Sequence, residues 1–452
     1  MLFKRKIYQK LVDWKNLSQG KTAVMIEGAR RIGKSTIAEE FAKNEYQDYL
    51  ILDFARESED VKHLFTDSLG DMAGFFRRLF VFKGKSLPER EAIIILDEIQ
   101  MFPEARQAIK YLVQDGRYDY LETGSLIRIR KTSKEILIPS EEERISMFPM
   151  DFEEFLWAQG DSYSYSVIED AFRNRESLGA AMHRKIMSRF RDYMAVGGMP
   201  QAVRAFVDGG NYEQIDYMKR TILKLYEEDL KKYDDDNREK ASIIFKAIPE
   251  QLSNHNSHYR LSTVDKNARY RDYVESVGLV AESMIGNECI GVTKPAVDLE
   301  AYADKSDFKL YMGDTGLLLT AMARYGDDTV DINDIYRAII SDHTGWDLGP
   351  VMENIVSQML KCSGHDLYFH RFSYQPEGNN RPNPYELDFL TVRKKKVCPI
   401  EVKSSGYKRH ASFDYFKEKY QLKMEDRFII YSKDFKAEDS LMYIPVYMTG
   451  CI

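Results

Sequence analysis

The residues most able to do chemistry in this sequence begin with a glycine-rich segment, GARRIGKS. It fits the pattern G-x-x-x-x-G-K-S/T, and its defining residues are Gly28, Gly33, Lys34 and Ser35. Glycines let backbone N–H groups wrap phosphates that a Cβ would obstruct. Lys34 is expected to reach the β and γ phosphates and Ser35 to bind Mg²⁺, while Thr36 adds a phosphate contact. A chance glycine turn is the alternative, so a second element must decide.

That second element is a pair of carboxylates after an apolar run in the segment EAIIILDEIQ. The run predicts a buried parallel strand that delivers Asp97 and Glu98 at its carboxyl-terminal edge. Asp97 is expected to hold Mg²⁺ through water, and Glu98 to orient or deprotonate an attacking water. A carboxylate beside the metal-binding aspartate favours hydrolysis over kinase chemistry. The loop and the carboxylate pair together predict a nucleotide site.

A third polar segment, YLETGS, predicts another strand that ends in small hydroxyl residues. Thr123 or Ser125 is placed to sense the γ-phosphate, and we assign Ser125 to the nucleotide site. A simple strand end is the alternative at this position.

Near the other end of the sequence, PYELDFLTVRKKKVCPIEVKSS predicts two strands joined by a basic turn, over residues 386–392 and 397–403. Alternation places Glu386 with Asp388 on one face of the first strand, and Glu401 with Lys403 on one face of the second. Two carboxylates and a lysine are the groups of metal-dependent phosphodiester cleavage: the carboxylates hold Mg²⁺ and the lysine helps to position the nucleophile. The alternative is a salt-bridged sheet face, since E-x-K alone has almost no specificity.

The same region is locally basic. From residue 390 to residue 423, ten lysines and arginines stand against three acids, a local charge of +7. The basic residues are Arg393, Lys394, Lys395, Lys396, Lys403, Lys408, Arg409, Lys417, Lys419 and Lys423. Such a cluster predicts a nucleic-acid partner, DNA in the first place, whose binding weakens with salt. A solvated lysine face is the alternative.

The elements that must position the nucleotide site are a strand, a turn and a helix. TAVMIEG supplies a short apolar strand before the loop, and the helix begins near Lys34. This geometry aims the positive end of the helix dipole at the phosphates.

Composition excludes several classes of protein. With 44% apolar and 30% charged residues, the sequence is neither disordered nor collagen-like. A net charge of -7 means that contact with nucleic acid needs a local patch. The four cysteines are far apart and lack C-x-x-C spacing, so we expect free thiols in a reducing cytosol. Without an 18-residue apolar stretch or a signal-like start, we expect a cytoplasmic protein that does not span a membrane.

Taken in order, these segments resemble a prokaryotic family of AAA-type ATPases that carry a C-terminal DUF4143 region. The resemblance also includes RISMFPMDFEEFLWA, YMAVGGMPQAV and KLYMGDTGLL, so that it runs nearly from end to end. It implies ATP as the nucleotide with Mg²⁺, and an α/β fold with a P-loop NTPase core and a helical lid. A winged-helix-like middle region and a C-terminal restriction-endonuclease-like domain of the PD-(D/E)xK type would follow. The implied boundaries are 1–160, 161–235, 236–335 and 336–452.

The resemblance adds further site residues. Glu353, in GPVMENIVSQML, resembles the helix carboxylate that some members of this nuclease superfamily use as a metal ligand. Arg144 is a candidate for a trans-acting or sensing arginine, but the acidic segment before it departs from the family pattern, and an ordinary surface arginine is the alternative. Glu122 also departs from that pattern, since its strand position is usually apolar. A monomer, a dimer and a larger homo-oligomer all stay open.

The middle of the chain gives weaker signals. The mixed-charge segment at residues 226–240 predicts a linker or a solvated helix face. Residues 261–284 predict a helix that begins near Ser262 or Thr263 and breaks at Gly278, followed by a strand-like edge. A winged helix that touches DNA and one that only packs against protein are equally compatible with this pattern.

Two hypotheses follow. The first is an ATPase whose nucleotide state governs a winged-helix and nuclease-like module that acts on DNA or RNA. The second is a regulatory or signalling ATP switch whose C-terminal domain binds nucleic acid or protein without cleavage. Metal-dependent cleavage of a polynucleotide distinguishes them.

Overall fold

Two compact units make up the chain. The computed structural model describes residues 2–124, 140–233, 239–254, 258–325, 332–341, 348–377, 381–404, 411–421, 426–438 and 441–452. One unit is formed by residues 1–148 with 282–284, and the other by residues 149–281 with 285–452. The first contains the glycine-rich loop, and the second contains the C-terminal carboxylates.

A parallel sheet forms the centre of the first unit. Among the described residues it has five strands in the order β2-β3-β4-β1-β5. They are β1 Ala23–Glu27, β2 Asp48–Asp53, β3 Ala92–Asp97, β4 Asp119–Gly124 and β5 Glu142–Ser146. Every neighbouring pair is parallel, so all strands end at one edge, where the loop after β1 and the carboxylates after β3 meet. The three strands predicted around the nucleotide site are confirmed.

The helices of the first unit cover this sheet. They are α1 Ile7–Ser18, α2 Lys34–Glu45, α3 Glu59–Asp67, α4 Met72–Lys83 and α5 Pro103–Asp115. Ser58 caps α3 and Asp71 caps α4, each by accepting a backbone N–H bond in the first turn. Buried aromatic rings pack edge to face between α3 and α4, as at Phe65 and Phe75, whose centroids are 5.1 Å apart.

The second unit begins with a run of helices. The helices after residue 149 are α6 Phe152–Ala158, α7 Ser164–Asn174, α8 Ala180–Val196, α9 Pro200–Val207, α10 Tyr212–Tyr233, α11 Lys240–Ser253, α12 Val274–Glu282, α13 Thr315–Tyr325, α14 Ile332–Ser341, α15 Gly349–Cys362 and α16 Ala411–Tyr420. Asp151 and Glu154 form a capping box that fixes the start of α6. Phe152 and Phe155 on this helix are fully buried.

A mixed sheet completes the second unit. Its strands are β6 Gly286–Val292, β7 Ala303–Met312, β8 Leu367–Tyr374, β9 Asn383–Arg393, β10 Lys396–Val402, β11 Arg427–Tyr431, β12 Lys436–Glu438 and β13 Leu441–Pro445. In the described residues their order is β12-β13-β11-β10-β9-β8-β6-β7. The predicted hairpin is confirmed, because β9 and β10 pair antiparallel. Its basic turn places Lys394 and Lys395 at φ 48° and 60°, which suits a tight two-residue turn.

This sheet joins two regions that the sequence treats separately. β6 and β7 come from residues 236–335, yet β6 pairs in parallel with β8 of the C-terminal region. The predicted boundaries, and the winged-helix-like character of the middle region, stay predictions. What the structure shows is one α/β layer built from both regions.

The helix predicted from Ser262 or Thr263 is wrong. The structure has short 3₁₀ turns at Leu261–Thr263 and Tyr270–Asp272 instead. Asp265 accepts a backbone N–H bond from Asn267 at 3.0 Å, which closes a local turn and competes with helix formation. The α-helix begins only at Val274 and continues through Gly278, where the sequence predicted a break.

None of the helices in the described part of the chain has both the length and the apolar character needed to cross a membrane.

Candidate nucleotide site and carboxylate cluster

The glycine-rich loop connects β1 to α2, and two of its positions require glycine. A Cβ at Gly28 would lie 2.3 Å from the carbonyl oxygen of Met147, which no side chain tolerates. Gly33 has φ +97°, a conformation that L side chains rarely adopt. The loop therefore keeps the narrow backbone path that phosphate binding needs.

Lys34 lies inside this loop and is buried. Its Nζ donates hydrogen bonds to the carbonyl oxygens of Gly28 at 2.9 Å and Ala29 at 2.8 Å. Burial lowers the pKa of Lys34 to about 8, although Glu98 and Asp97 partly oppose this shift. Within the described part of the chain, the ammonium thus donates its hydrogen bonds to neutral carbonyl oxygens. Negatively charged phosphate oxygens would accept stronger hydrogen bonds from it.

Hydroxyl groups surround the carboxylate of Asp97. Ser35 Oγ donates to Asp97 Oδ1 at 2.8 Å, and Thr123 Oγ1 also donates to this oxygen. The backbone N–H of Glu98 donates to Thr123 Oγ1 at 3.4 Å. The structure therefore joins the loop serine, the strand-end aspartate and the β4 threonine in one hydrogen-bonded group. Ser125, the residue assigned to this site from the sequence, lies outside the described residues.

Glu98 and Thr36 lie at the rim of this group. Glu98 follows β3 in a left-handed conformation at φ 52°, and its carboxylate accepts a hydrogen bond from Gln100 Nε2. Thr36 lies in the first turn of α2 and is exposed. Both side chains are thus placed at the carboxyl edge of the parallel sheet, where ligands bind in open α/β folds.

Arg5 is a residue that sequence reasoning missed. Its guanidinium is buried and donates to the carbonyl oxygens of Ile32 at 2.8 Å and Phe148 at 2.7 Å. It thereby ties the loop to the segment after β5. One arginine among several basic residues in the first ten gives no signal of this kind.

Arg144 is engaged within the first unit. Its Nε donates to Glu142 Oε1 at 2.8 Å, and Arg106 also pairs with Glu142, at 2.8 Å. Glu122 is fully buried beside these groups, and burial with the nearby Glu142 raises the pKa of its carboxyl well above the usual range. The unusual Glu122 therefore belongs to a buried ionisable cluster on the sheet.

A second set of carboxylates lies in the second unit, around a lysine that sequence reasoning did not select. Lys309 on β7 pairs with Glu386 on β9 at 2.5 Å and with Glu353 on α15 at 4.0 Å. Tyr311 donates a hydrogen bond to Glu353 Oε2 at 3.0 Å. Nearby carboxylates raise the pKa of Lys309, outweighing its burial.

The predicted nuclease residues meet this set at Asp388. Asp388 Oδ2 accepts the backbone N–H of Val402 at 2.7 Å, and burial together with Glu353 raises the pKa of Asp388 to about 6. Glu401 is buried and pairs with Lys403. The sheet thus places Asp388 close enough to Glu353 for electrostatic coupling, whereas Glu401 faces its own lysine.

The assignment of Glu353, Asp388 and Glu401 as Mg²⁺ ligands stays a prediction. Within the described ranges, no group of three or more His, Cys, Asp or Glu side chains is arranged to hold a metal ion. Tyr311 donates to one oxygen of Glu353, and the backbone N–H of Val402 donates to one oxygen of Asp388.

The basic segment is partly neutralised within the protein. Arg393 pairs with the buried Asp426 at 3.1 Å, and Arg175 pairs with the same carboxylate at 3.0 Å. Lys394 and Lys395 are exposed at the hairpin turn. Lys408, Arg409 and Lys423 lie outside the described residues. A pocket of about 460 Å³ beside the turn has both basic and acidic side chains in its wall: Arg173, Arg175, Arg393 and Lys394, with Glu169 and Asp426.

The parallel sheet, the glycine-rich loop and the hydroxyl-bonded aspartate define a P-loop nucleoside triphosphatase. Comparison with protein families specifies it further: residues 20–156 match the AAA domain, and residues 348–448 match the domain of unknown function DUF4143. The chain is an AAA-type ATPase with a C-terminal DUF4143 region, which confirms the family predicted from the sequence. Residues 187–328 match a further domain of unknown function, DUF8612.

Solved structures give distant similarities. The Walker-type ATPase PABY2304 of Pyrococcus abyssi is 12% identical, with a TM-score of 0.40 over 71% of this chain and 96% of that one. The RuvB Holliday junction branch migration motor of Thermotoga maritima is 13% identical, with a TM-score of 0.29 over 63% and 89%. The ADP form of the ORC2 protein of Aeropyrum pernix is 12% identical, with a TM-score of 0.25 over 74% and 92%. No curated protein matches the sequence.

Proposed function

We propose that this ATPase uses its nucleotide state to control the binding of nucleic acid, DNA in the first place, by its second unit. The observation that carries the nucleic-acid part is the exposed basic turn at Lys394 and Lys395. Exposed cations at the tip of a hairpin can approach a phosphate backbone. The proposed partner is therefore DNA that is contacted through its phosphates.

At the nucleotide site, each residue has a proposed role. Lys34 would exchange its carbonyl partners for the β and γ phosphates, and Thr36 would add a phosphate contact. Glu98 would orient or deprotonate the attacking water. Thr123 or Ser125 would sense the γ-phosphate.

The residues present also fit Mg²⁺. Ser35 and Asp97 are the residues that would hold it, since their oxygens already meet at 2.8 Å, and the ion would supply charge neutralisation between the phosphates. Gly28 and Gly33 keep the loop backbone free of side chains.

A second candidate function is a regulatory switch that binds nucleic acid or protein without cleavage. It is favoured by one observation: Glu401 and Lys403, the predicted cleavage pair, bind each other. In this function Asp388, Glu401 and Lys403 would be structural or binding residues.

The experiment that tests the proposal measures DNA binding in three nucleotide states. Fluorescence anisotropy would follow labelled single-stranded, double-stranded and branched DNA with no nucleotide, ADP or ATP, and gels would follow strand integrity. Glu98→Gln protein would hold the ATP state. We expect the affinity for DNA to differ at least about tenfold between the ATP and ADP states, a factor typical of allosteric coupling between two binding sites.

Removing the turn charges tests the surface itself. The double change Lys394→Gln and Lys395→Gln should weaken DNA binding about 3- to 10-fold and reduce the slope of log affinity against log salt by about 1.8 for duplex DNA. The control is Lys224→Gln with Lys361→Gln, two lysines that lie on α10 and α15. Equal weakening in the control, or one affinity in every nucleotide state, would contradict the proposal. Light scattering on the same samples reports whether a homo-oligomer forms.

A further inference from the structure

Lys309 is an unusual residue for its position. It lies in the middle of β7, between Phe308 and Leu310, and its side chain is only 7% exposed. A lysine at a buried strand position carries a large desolvation cost unless acidic groups compensate it. The acidic groups around Lys309 therefore indicate the role of its positive charge.

Three different carboxylates compensate it, from two other elements. Glu386 on β9 contacts the Lys309 ammonium at 2.5 Å, and Glu353 on α15 lies 4.0 Å from it. Asp388 lies two residues after Glu386 on the same face of β9 and interacts electrostatically with the Lys309 ammonium. The ammonium is the charge around which carboxylates from α15 and β9 gather.

Glu353 and Asp388 are two of the residues that the nuclease-like pattern assigns to a divalent metal ion. In the structure, protein groups take up oxygens of both: Tyr311 donates to Glu353 Oε2, and the backbone N–H of Val402 donates to Asp388 Oδ2. A cation fixed among these carboxylates would repel a second one strongly at low dielectric. Metal binding would require the Lys309 ion pair and these hydrogen bonds to break together.

We propose that the Lys309 ammonium is the resident cation of this cluster and replaces a divalent metal ion there. The second unit consequently binds neither Mg²⁺ nor Mn²⁺ at Asp388 and does not cleave nucleic acid by metal-dependent hydrolysis. The inference goes beyond the proposed control of DNA binding and does not depend on it, because it concerns ion occupancy of a buried cluster.

The test counts bound Mn²⁺ by electron paramagnetic resonance on full-length, nucleotide-free protein. Wild type and Asp388→Asn should bind the same number of Mn²⁺ ions, since any contribution of the loop around Ser35 is common to both. Lys309→Met keeps the length of the side chain and removes the charge. It should gain one Mn²⁺ per chain, and the double variant Lys309→Met with Asp388→Asn should lose that ion again.

Thermal unfolding gives a second measurement. Addition of Mn²⁺ should raise the midpoint of Lys309→Met more than that of wild type, because the ion binds only the folded cluster. Addition of Mn²⁺ should shift wild type and Asp388→Asn equally.

Either of two results in the wild type would overturn the proposal: a bound Mn²⁺ that disappears in Asp388→Asn, or Mg²⁺-dependent DNA cleavage that disappears in the same variant. A folded Lys309→Met protein that gains no ion would also overturn it. If Lys309→Met does not fold, the comparison of wild type with Asp388→Asn still decides. Failure of nucleotide-controlled DNA binding would leave all these Mn²⁺ counts unchanged, so the two proposals fail separately.

Discussion

Lys34 in the first unit and Lys309 in the second are both buried lysines beside carboxylates, but they have different partners. Lys34 donates to two backbone carbonyl oxygens, and its pKa is lowered. Lys309 pairs with Glu386 and Glu353, and its pKa is raised. The difference teaches that burial of a lysine does not by itself indicate a ligand site. An ammonium held by neutral dipoles can accept an anion, whereas one held by carboxylates already has its counter-ions.

The aspartates of the two regions differ in the same way. Asp97 accepts hydrogen bonds from the hydroxyl groups of Ser35 and Thr123, and hydroxyl groups can turn to become ligands of an ion. Asp388 accepts the backbone N–H of Val402 at 2.7 Å and interacts electrostatically with the Lys309 ammonium. The hydroxyl groups can therefore give way to Mg²⁺ at Asp97, whereas the proposed resident cation at Asp388 is the Lys309 ammonium.

The largest effects are expected when the two buried lysines are replaced: the change at Lys34 should reduce ATP turnover, and the change at Lys309 should reduce stability. Lys34→Ala should reduce ATP turnover on the order of 10³-fold, because a preorganised cation on the transferred phosphate is lost. Its unfolding midpoint without nucleotide should stay equal or rise, since a costly buried charge is removed. Lys309→Met should lower the free energy of unfolding by about 3–5 kcal/mol, because buried carboxylates lose their counter-ion. Malachite-green phosphate release and urea unfolding measure the two effects, and similar stability losses in both variants would break the comparison.

The next effect concerns the water-activating carboxylate. Glu98→Gln should lower the turnover number on the order of 10²-fold while ATP affinity changes little, because an amide cannot take a proton. Single-turnover hydrolysis and fluorescent ATP binding measure the two quantities. Glu104→Gln is the matched control, since Glu104 is an exposed carboxylate in the first turn of α5 and has no proposed role in hydrolysis. Equal losses in the two variants would remove Glu98 from its proposed role.

The nucleotide site could be predicted from the sequence because its residues are local. Gly28 to Ser35 form one continuous turn, and Asp97 with Glu98 ends one apolar run, so pattern alone gives strand, loop and helix. The β9–β10 hairpin was predictable for the same reason, from alternation on both sides of a basic turn.

The role of Lys309 could not be found in this way, because its partner Glu386 is 77 residues away in sequence. The contact depends on β6 joining β7 to the C-terminal strands, and no local pattern indicates this pairing. One signal was available: a lone lysine in the apolar run FKLYM must find an acidic partner if the run is a buried strand. Asp314 and Lys219 are also buried, and their burial likewise depends on packing between segments that are far apart in the sequence.

A smaller effect, on the pH dependence of stability, is expected from Lys219. This residue is a second buried lysine of the second unit and can be compared with Lys309. This lysine is fully buried and donates to the carbonyl oxygens of Ala195 at 2.8 Å and Gly316 at 3.1 Å, so that its partners resemble those of Lys34. Burial lowers its pKa from 10.5 to about 8. Between these values the unfolded chain binds more protons than the folded one, so the contribution of Lys219 to stability rises with pH.

Urea unfolding at about pH 7.5 and about pH 9.5 measures this dependence. The free energy of unfolding of wild type relative to Lys219→Met should rise by about 1–2 kcal/mol over this interval. Lys224→Met is the control, because Lys224 lies on the same helix and its side chain is 70% exposed. A difference that falls with pH would mean that carboxylates hold Lys219 as they hold Lys309.

The smallest effect is expected at Arg144. An arginine that completes a neighbour's nucleotide site contributes on the order of 10³- to 10⁵-fold to turnover. Arg144 instead pairs with Glu142, whose carboxylate is fully buried, so its charge is already used within its own unit. Arg144→Ala should therefore change ATP turnover by less than about threefold, a loss far below that of a trans-acting arginine.

Subunit mixing distinguishes the two roles of Arg144 directly. If the arginine acts in trans, Arg144→Ala protein alone is inactive and Lys34→Ala protein alone is inactive, yet their mixture recovers turnover because each supplies what the other lacks. If Arg144 only neutralises Glu142, the Arg144→Ala protein is active by itself and mixing adds nothing. Recovery of turnover in the mixture would show that the ion pair between Arg144 and Glu142 opens when subunits assemble. The Arg144 guanidinium would then leave its carboxylate to act on a neighbour's nucleotide, whereas Lys309 stays with its carboxylates.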